Sequence, residues 1–466
     1  MKKLLIALTL CLGIATLPST VFADQTLYSK SEIKEDIDFL IKTMEDVHPN
    51  LYSNFPEKNF DSAIEFEFNE IKNPISAAEI FTTFEPILSK LNDGHTGIRV
   101  PNDFIKSLKE TKNLFGIIAE LKDGKINFLN ASIPNALEYK NCEIISINGE
   151  STEQIYNQMI NYISGTNLNY REIILNKNFV AYYHLEHPFE KVYKIKIKTT
   201  ENKIKELIIP SVDTKTYENL YSTEKSVQKK DFSYKQLNET TVCLTFNSFS
   251  DFDKFQLFLD DVFKEIKTNS IDNLIIDIRE NGGGNSRLGD LLIESIYNKP
   301  FSQTSRSEIK ISNEILNYYT KIFKDRGISD EDIKKQIDQN KAFLGKNYPT
   351  QNPITRNYLE NSVFNGNVYV LTSDNTFSSA TMFAATIKDY NIGQIIGEET
   401  GGLATHFGDL YTFTLPNSNL NAYVSHKYFV RPNGLNTHHG VIPDYDIKNL
   451  NNRDALEIAL EIIENL

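Results

Sequence analysis

The spacing of hydrophobic and polar residues changes twice along the chain. Between residues 30 and 92, apolar residues recur every three or four positions, a spacing that predicts amphipathic helices. Ser31 and Ser76 are predicted to cap two of these helices, with Glu35 or Glu79 near the first turn, because a serine hydroxyl accepts from the exposed amides of a helix start. The pattern therefore predicts an N-terminal helical region that ends in the segment LNDGHTGIRV.

From about residue 110 to residue 210, short runs of alternating apolar and polar residues predict β-strands. Two runs meet at Asp123-Gly124 and two others meet at the polar segment TTENK, so that each pair predicts a hairpin. Between them, NCEIISINGESTEQIYNQMINYI predicts a strand, a turn at Asn148-Gly149 and an amphipathic helix. This part of the chain is predicted to be rich in β-structure.

Strands and helices alternate after residue 230. Apolar strands are predicted at TTVCLTFNSF, IDNLIIDIR, GNVYVLTS and IGQIIG, with helices between them. This alternation predicts a largely parallel sheet, in which active sites gather at the C-terminal ends of the strands. A charged segment at residues 305–358 interrupts the pattern and is predicted to be helical. It is either a lid over the site or a helical decoration of the surface.

The N-terminus has the pattern of a secretory signal peptide. Two lysines precede an apolar stretch from Leu4 to Ala15, and the segment VFA forms a small-residue cleavage site. Residues 1–23 are therefore predicted to be removed, so that the mature chain begins at Asp24 and is secreted, periplasmic or associated with the cell envelope. The residues before Cys11 disfavour a lipid anchor, and no integral membrane segment is predicted after cleavage.

Composition narrows the class of protein. The sequence is 40% hydrophobic, 11% aromatic and 24% charged, as is typical of a globular protein, and its length predicts about two to four domains. The formal net charge of −13 argues against nucleic acid or an anionic membrane as a partner, since both need clustered Lys and Arg. Cys142 and Cys243 lie in apolar runs, which favours two separate buried thiols over a disulfide.

Three strand-to-loop junctions carry candidate chemistry, at Asn281–Asn285, Thr376–Ser379 and Gly397–Gly402. In the first, three consecutive glycines precede a helix, and their amides can converge on an oxyanion or a phosphate. The residues that follow are not those of a P-loop, and a flexible turn explains the glycines equally well.

Ser378 and Ser379 lie where an apolar strand gives way to a helix. A serine at such a turn can present its hydroxyl at the edge of the sheet, while the next amide donates to an oxyanion. The simpler interpretation is that one of the two caps the helix that begins near Ala380. A nucleophilic serine also needs a base near neutral pH, for which His95 is one candidate. The other candidate bases are His406, His426, His438 and His439.

Taken in order, these segments resemble the C-terminal processing, or tail-specific, serine peptidases, a family that shares its core with tricorn protease and the retinoid-binding protein repeats. LSKLNDGHTGI is similar to the family's Asp-x-His-Thr segment, NCEIISINGESTEQI to the end of a PDZ domain, and LIIDIRENGGG to the Asp-x-Arg-x-Asn-x-Gly-Gly loop. VYVLTSDNTFSSATMFAATIKD resembles the nucleophile segment, IIGEETGG the Gly-Glu-x-Thr-x-Gly turn, and HHGVIPDYDI the terminal Gly-x-x-Pro-Asp. Each match is weak alone, but six matches in the same order as in the family argue against a chance resemblance.

The resemblance implies an α/β fold with three parts. These are an N-terminal helical domain at residues 24–108, a PDZ-like β-rich domain at 109–212, and a ClpP/crotonase-like α/β core at 213–466 that carries the insertion at 305–358. It implies a secreted serine peptidase that acts on a peptide or protein substrate without metal or cofactor, and it implies no particular oligomeric state. The alternatives are a non-catalytic extracellular member that binds a peptide or ligand, and a hydrolase of small esters or lactams.

The family's nucleophile pattern, Thr-x-Ser-x-x-Glu, implies Ser378 as the nucleophile. The amide of Ser379 is then one oxyanion donor, and the amide of Gly283 or Gly284 is the second. Removing one such donor typically costs about 10²–10³ in turnover, so the glycine loop bears on the mechanism as well as on the fold.

Two branches of the family use different bases. In one branch a lysine follows the Gly-Glu-x-Thr-x-Gly turn, but Leu403 occupies that position here, and no lysine lies between Asp389 and Lys427. The tricorn-like branch uses a histidine from the N-terminal part of the chain, which matches His95. Unperturbed imidazole titrates near pH ~6.5, so it can accept the hydroxyl proton without special tuning.

Two glutamates of the family pattern are absent. Thr381 replaces the glutamate that ends the nucleophile motif, and Thr437 replaces the one that orients the site in the tricorn-like branch. Loss of an orienting carboxylate usually weakens such a site, and it is the evidence for the non-catalytic alternative. Asp93 and Thr96 are expected to hold the histidine loop in shape rather than to act in catalysis. The candidates for a supporting role are Asp93, Thr96, Thr437 and His438.

Overall fold

The structure is a computed structural model that describes residues 26–224, 230–350, 363–450 and 453–465. The predicted signal peptide at residues 1–23 and the end of the insertion, residues 351–358, lie outside the described residues. Within the described ranges, none of the helices has the length and apolar character needed to cross a bilayer.

The first part of the chain is mostly helical, as its apolar periodicity predicts. Its elements are β1 Leu27–Tyr28, α1 Lys30–Val47, α2 Glu57–Glu70, β2 Ile75–Ser76, α3 Ala77–Leu88, β3 Gly97–Ile98 and α4 Asn102–Glu110. Ser76 and Glu79 form a reciprocal capping box at the start of α3, which confirms one predicted cap. The other is wrong: α1 is capped by Ser29 with Glu32, because Ser29 has the extended backbone of a cap while Ser31 already lies inside the helix.

A seven-stranded antiparallel sheet and its helices follow. The elements are β4 Leu114–Phe115, β5 Ile117–Lys122, β6 Lys125–Ala131, β7 Glu143–Ile147, β8 Glu150–Ser151, α5 Thr152–Met159, α6 Leu168–Lys177, α7 Phe179–Glu186, β9 Val192–Lys198, β10 Ile204–Val212 and α8 Thr214–Glu224. The strands pair in the order β4-β10-β9-β7-β6-β5, with β8 paired to β7. The hairpins β5–β6 and β9–β10 and the turn at Asn148-Gly149 confirm the predictions for this region.

The remainder of the chain alternates strands and helices. Its elements are β11 Phe232–Gln236, β12 Thr241–Phe246, α9 Phe252–Thr268, β13 Asn273–Asp277, α10 Arg287–Ile296, β14 Arg306–Lys310, α11 Asn313–Asp325, α12 Asp330–Lys341, β15 Asn347–Thr350, β16 Asn367–Thr372, α13 Ser379–Asp389, β17 Gln394–Gly397, β18 His406–Thr414, β19 Asn421–Val430, β20 Tyr445–Asp446 and α14 Ala455–Glu464. Short 3₁₀ turns lie at Ser89–Leu91, Ala136–Tyr139, Ile160–Tyr162 and Ile447–Leu450.

Six of these strands form the central sheet, in the order β11-β12-β13-β16-β17-β20. All its pairs are parallel except β11–β12 at one edge, so the predicted parallel sheet and the α/β fold class are confirmed. Helices α9, α10 and α13 pack on one face and α14 packs on the other. Cys142 and Cys243 are buried and unbonded, as two separate thiols should be.

The insertion at 305–358 is not helical throughout. Its described part begins with β14 and ends with β15, which pair with each other on either side of α11 and α12. Strand β14 also pairs with β19, which forms a long hairpin with β18 that the sequence analysis did not predict. The prediction was incomplete because these strands are stabilised by partners distant in sequence, whereas apolar spacing reports only local preference.

A two-residue strand connects the N-terminal helical region to this hairpin. Strand β3 pairs with β19 through Gly97↔Tyr423 and Ile98↔Ala422. The segment LNDGHTGI lies immediately before and within β3, so this pairing determines where its histidine is placed.

Candidate active site

Ser378 lies in a strained turn between β16 and α13. Its backbone has φ 53° and ψ −123°, a conformation that is rare for residues other than glycine. The side chain of Ser378 makes no capping hydrogen bond to the helix, so the interpretation of this serine as a helix cap is wrong. Strain of this kind at a strand–turn–helix junction is characteristic of nucleophilic serines.

Hydrogen bonds to the neighbouring glycine loop hold this turn. The Thr376 hydroxyl donates to the Ile278 carbonyl at 3.0 Å, and the Phe377 amide donates to the Asn281 carbonyl at 3.0 Å. Both carbonyls belong to the loop that follows β13, whose C-terminal end lies beside that of β16 in the parallel sheet. The sheet therefore brings two of the predicted junctions together.

Gly283 packs directly against the serine turn. A Cβ atom at this residue would lie 2.8 Å from Ser378 Cβ and 2.9 Å from the Ser379 nitrogen, and its φ is +97°. The Gly283 amide is occupied, since it donates to Asn281 Oδ1 at 2.9 Å. Among the described residues, no protein oxygen accepts from the amides of Gly284 and Ser379. The Ser379 hydroxyl donates to the Gly284 carbonyl at 2.7 Å, which ties the two loops together.

His95 reaches the serine from the N-terminal region. Its Nε2 lies 3.1 Å from Ser378 Oγ across 283 residues of sequence, and its side chain is 12% exposed. The ring stacks on Phe377 with centroids 5.0 Å apart. Among the eight histidines of the sequence, all within the described residues, His95 is the one that hydrogen bonds to Ser378.

A buried carboxylate lies behind His95. Asp93 Oδ1 accepts from the His95 amide at 3.0 Å and lies 3.8 Å from His95 Nδ1. Asp93 Oδ2 accepts from the hydroxyls of Thr96 and Ser425, each at 2.6 Å, and faces His48 Nε2 at 3.3 Å. Burial by itself raises the pKa of Asp93, but the hydrogen bonds with His48 and His95, and the charge of these rings when they are protonated, outweigh it and hold this pKa well below its ordinary value.

His48 and Ser425 contact Asp93 but were not among the residues predicted from the sequence. His48 follows the end of α1, and Ser425 lies in β19, a strand that the apolar pattern did not predict. Neither residue is part of a motif, so their only signal is the tertiary contact with Asp93.

Within the described residues, no hydrogen bond joins His95 to the residues that replace the family's glutamates. Thr381 is fully buried, donates to the Thr376 carbonyl at 3.1 Å, and has its hydroxyl oxygen 2.6 Å from where a Cβ atom at Gly402 would lie. The Thr437 hydroxyl is buried and has no hydrogen-bond partner within the described part of the chain. His438 lines the same cavity as His95.

Three of the other candidate bases, His406, His426 and His439, are engaged elsewhere or held neutral. His406 stacks near His95 with centroids 6.0 Å apart, and burial, with a smaller contribution from the charge of His95, lowers its pKa to about 4. His426 is bonded to the Tyr319 hydroxyl at 3.0 Å, and burial lowers its pKa to about 4 as well. His439 Nδ1 lies 2.7 Å from the carbonyl of Gly440.

A cavity of about 370 Å³ opens beside Ser378 and His95. The N-terminal region contributes Pro49 and Asn50 to its wall, and the insertion contributes Glu308 and Asn347. The wall of this cavity next to the serine hydroxyl is therefore built from three parts of the sequence.

A parallel α/β core that presents a serine beside a histidine defines a serine-type hydrolytic site. The model of Peptidase family S41 matches residues 241–447, a range that contains Ser378 and the glycine loop but not His95. Residues 241–447 therefore match the peptidases of this family, and this match, together with the peptidase folds described next, supports a serine-type peptidase.

Solved structures of peptidases have a similar fold. Mature CPAF complexed with lactacystin superimposes with a TM-score of 0.61 at 13% identity, covering 90% of this chain and 94% of that chain. Mature CPAF without the ligand gives 0.60 at 13% identity, with coverage of 90% and 93%. The photosystem II D1 C-terminal processing protease gives 0.45 at 12% identity, with coverage of 89% and 93%. No curated protein matches the sequence.

Proposed function

We propose that this chain is a secreted serine peptidase in which Ser378 attacks the scissile carbonyl and His95 takes up its proton. The observation that carries the proposal is the 3.1 Å contact between His95 Nε2 and Ser378 Oγ, with the serine in a strained turn. His95 then returns the proton to the leaving amine, and water repeats the sequence on the acyl-enzyme. The amides of Ser379 and Gly284 are the proposed oxyanion donors, because both are free of protein acceptors in the described residues.

Asp93 is the proposed third member of the site. In the base form of His95, Nε2 accepts from the serine, so Nδ1 carries the proton and faces Asp93 Oδ1. The 3.8 Å between these atoms is longer than a hydrogen bond, but such contacts tighten when substrate binds. An ionised carboxylate there stabilises the imidazolium that forms during attack.

Labelling with a fluorophosphonate tests this assignment, because the reagent needs an activated serine but no knowledge of the natural substrate. We expect covalent labelling at Ser378, none in Ser378→Ala, and greatly slowed labelling in His95→Ala. Ser379→Ala is the matched control: it keeps the backbone amide and loses only the hydroxyl contact with Gly284, so labelling should persist. A lack of labelling across pH about 5 to 9, where a histidine base acts, would favour the non-catalytic binding protein.

Residues 109–212 are proposed to form a PDZ-like domain that braces the core. A peptide would add to the edge strand β5, yet the Asn176 side chain already bonds the Leu121 amide at 2.6 Å and the Leu121 carbonyl at 2.9 Å. The same helix, α6, stacks Tyr170 on Phe377 with centroids 4.1 Å apart. Fluorescence anisotropy of carboxy-terminal peptides on Ser378→Ala checks this: we expect no peptide bound at β5, and measurable binding at β5 with Asn176 in place would contradict it.

The insertion is proposed to gate access to the cavity rather than to support the reaction. Glu308 lines the cavity beside Asn347, so its charge selects among substrate side chains. In Glu308→Gln we expect unchanged fluorophosphonate labelling and a shifted preference between cationic and neutral peptides. Equal losses of labelling and of peptide cleavage would count against gating.

Secretion is proposed from the N-terminal pattern at residues 1–23, which the described residues do not include. N-terminal sequencing of protein recovered from outside the cytoplasm should begin at Asp24. An intact Met1 in a secreted, active protein would contradict cleavage at this position.

A further inference from the structure

His48 lies behind the candidate site, on the side of Asp93 opposite His95. It follows the last residue of α1, is 2% exposed, and packs on the ring of Phe407 with centroids 4.4 Å apart. The next two residues, Pro49 and Asn50, line the cavity beside Ser378. The segment that holds His48 therefore also forms part of the wall that a substrate touches.

The hydrogen bonds of His48 determine which ring nitrogen carries its proton. The Asn50 amide donates to His48 Nδ1 at 3.0 Å, which uses the lone pair of that nitrogen. A neutral ring must then carry its proton on Nε2, the atom that faces Asp93 Oδ2 at 3.3 Å. His48 is thus a donor to Asp93.

The two oxygens of Asp93 have different partners. Oδ2 accepts from three side chains that come from separate parts of the chain, His48, Thr96 and Ser425. Oδ1 accepts from the His95 amide and faces His95 Nδ1. Because the donors on Oδ2 hold the plane of the carboxylate, they keep Oδ1 directed at the imidazole.

We propose that His48 is a positioning residue for the reaction: its Nε2–H holds the Asp93 carboxylate so that Oδ1 meets His95 Nδ1–H when Ser378 loses its proton. The proposal rests on the proposed function. His48 lies outside every recognised motif and acts by orienting Asp93, not by touching the substrate. Removing an orienting residue of this kind commonly lowers activity by about 10- to 100-fold.

Two amide variants separate this role from a general contribution to stability. In His48→Gln the side-chain amide reaches about as far as Nε2, so it can still donate to Asp93. In His48→Asn the shorter amide matches the position of Nδ1 and leaves Asp93 without this donor. We expect His48→Gln to label with fluorophosphonate within a few-fold of the unaltered protein, and His48→Asn to label about 10- to 100-fold more slowly. His48→Phe, which fills the volume without a donor, should behave like His48→Asn.

The pH dependence of the labelling rate is the readout that a structural role would not change. In His48→Asn and His48→Phe we expect the acid limb of the profile to move to lower pH, because an imidazolium beside a misdirected carboxylate loses its proton more readily. The charged and titratable groups that face this centre are Asp93, His406, Asp409 with its partner Lys427, and the cavity residues His438 and Glu308. All of these are unaltered in the variants, so a shift is attributable to His48.

His187 provides a matched control. Its Nε2 lies 2.9 Å from Glu150 Oε2 in the seven-stranded sheet, and its ring stacks on Tyr183, so it is likewise a packed histidine bonded to a carboxylate. His187→Asn should leave both the labelling rate and the acid limb unchanged. Thermal unfolding of each variant shows that the compared proteins are folded.

The outcomes are distinguishable. Normal labelling of the unaltered protein together with equal rates and profiles for His48→Gln and His48→Asn would overturn this proposal alone. A slowed rate in both variants without a shift of the acid limb would reduce His48 to a structural residue and overturn it too. No labelling of the unaltered protein would overturn the proposed function and this proposal with it.

Discussion

Ser378 and His95 are held in place by different means. Ser378 is placed by backbone conformation, with a positive φ, a glycine packed against it, and loop hydrogen bonds within one parallel sheet. His95 is placed by side chains that converge on the buried Asp93 from α1, from the loop before β3 and from β19. The proposed nucleophile therefore depends on local backbone geometry, and the proposed base depends on the assembly of distant segments.

This difference predicts two kinds of variant. Substitutions around Ser378 should act by displacing the backbone of its turn, so the sensitive residues there are a glycine and a buried threonine. Substitutions around His95 should act by changing charge and hydrogen bonds, so their effects on labelling or on stability should depend on pH. Substitutions at Asp93, Gly283, Thr376 and Ser425 test these expectations, from the largest expected effect to the smallest.

Asp93→Asn should have the largest effect on the histidine side. The substitution preserves shape but removes the charge that faces His95 Nδ1, and the equivalent change in a serine–histidine–aspartate site costs about 10⁴ in turnover. We expect fluorophosphonate labelling to fall by about 10³–10⁴-fold. A loss smaller than tenfold would show that the site does not use this carboxylate.

Asp93→Asn should also change how the free energy of unfolding depends on pH. The folded pKa of Asp93 lies well below its unfolded value of about 3.9, so its ionisation stabilises the fold above that value, and this contribution disappears as the pH falls through the folded pKa. The unfolding free energy lost in Asp93→Asn should therefore be greatest near neutral pH and shrink below pH ~4. Denaturant titrations at several pH values measure this difference, and a constant difference would contradict the ionised state of Asp93.

Gly283→Ala should have the largest effect on the serine side. The new Cβ would lie 2.8 Å from Ser378 Cβ, so the turn must move, and the amides around it move as well. We expect labelling to fall by about 10²–10³-fold, as when an oxyanion donor is lost. Gly345→Ala is the matched control, since Gly345 also has a positive φ, +76°, but no atom lies within 4 Å of the added Cβ. Similar losses in both variants would assign the effect to backbone strain alone.

Thr376→Val should have an intermediate effect. Thr376 is fully buried, and the variant removes the hydroxyl that donates to Ile278 and accepts from the Ser373 amide. Leaving those groups unpaired typically costs about 1–3 kcal/mol. Thr386→Val, equally buried in α13 and bonded to Met382, is the control. Both should lower the unfolding temperature, but only Thr376→Val should slow labelling; equal labelling rates would contradict the role of this loop.

Ser425→Ala should have the smallest effect. It removes one of the three donors to Asp93 Oδ2 and leaves those from Thr96 and His48 in place. We expect labelling to fall only a few-fold, with a loss of about 1 kcal/mol in unfolding free energy. A loss as large as that of Asp93→Asn would show that the donors act as an indivisible unit.

Much of the fold was predictable because its signals are local. The parallel strands β12, β13, β16 and β17 are apolar runs, and the hairpins at Asp123-Gly124 and at TTENK are marked by turn residues. The hairpin β18–β19 and the strands of the insertion were missed because distant partners stabilise them. The cap of α1 was misplaced by two residues because two neighbouring serines, Ser29 and Ser31, offer the same hydroxyl, and backbone conformation selects one.

By itself, the sequence determined the order of helices and strands, the serine at a strand–helix junction, and the glycine loop beside it. These follow from apolar spacing and from the conformations that glycine permits, both of which act over a few residues. Only the tertiary structure decided which carboxylate faces His95 and that His48 and Ser425 contact this carboxylate. The contact with Ser425 accompanies the pairing of β3 with β19, two segments more than 300 residues apart, and no local pattern encodes such a contact.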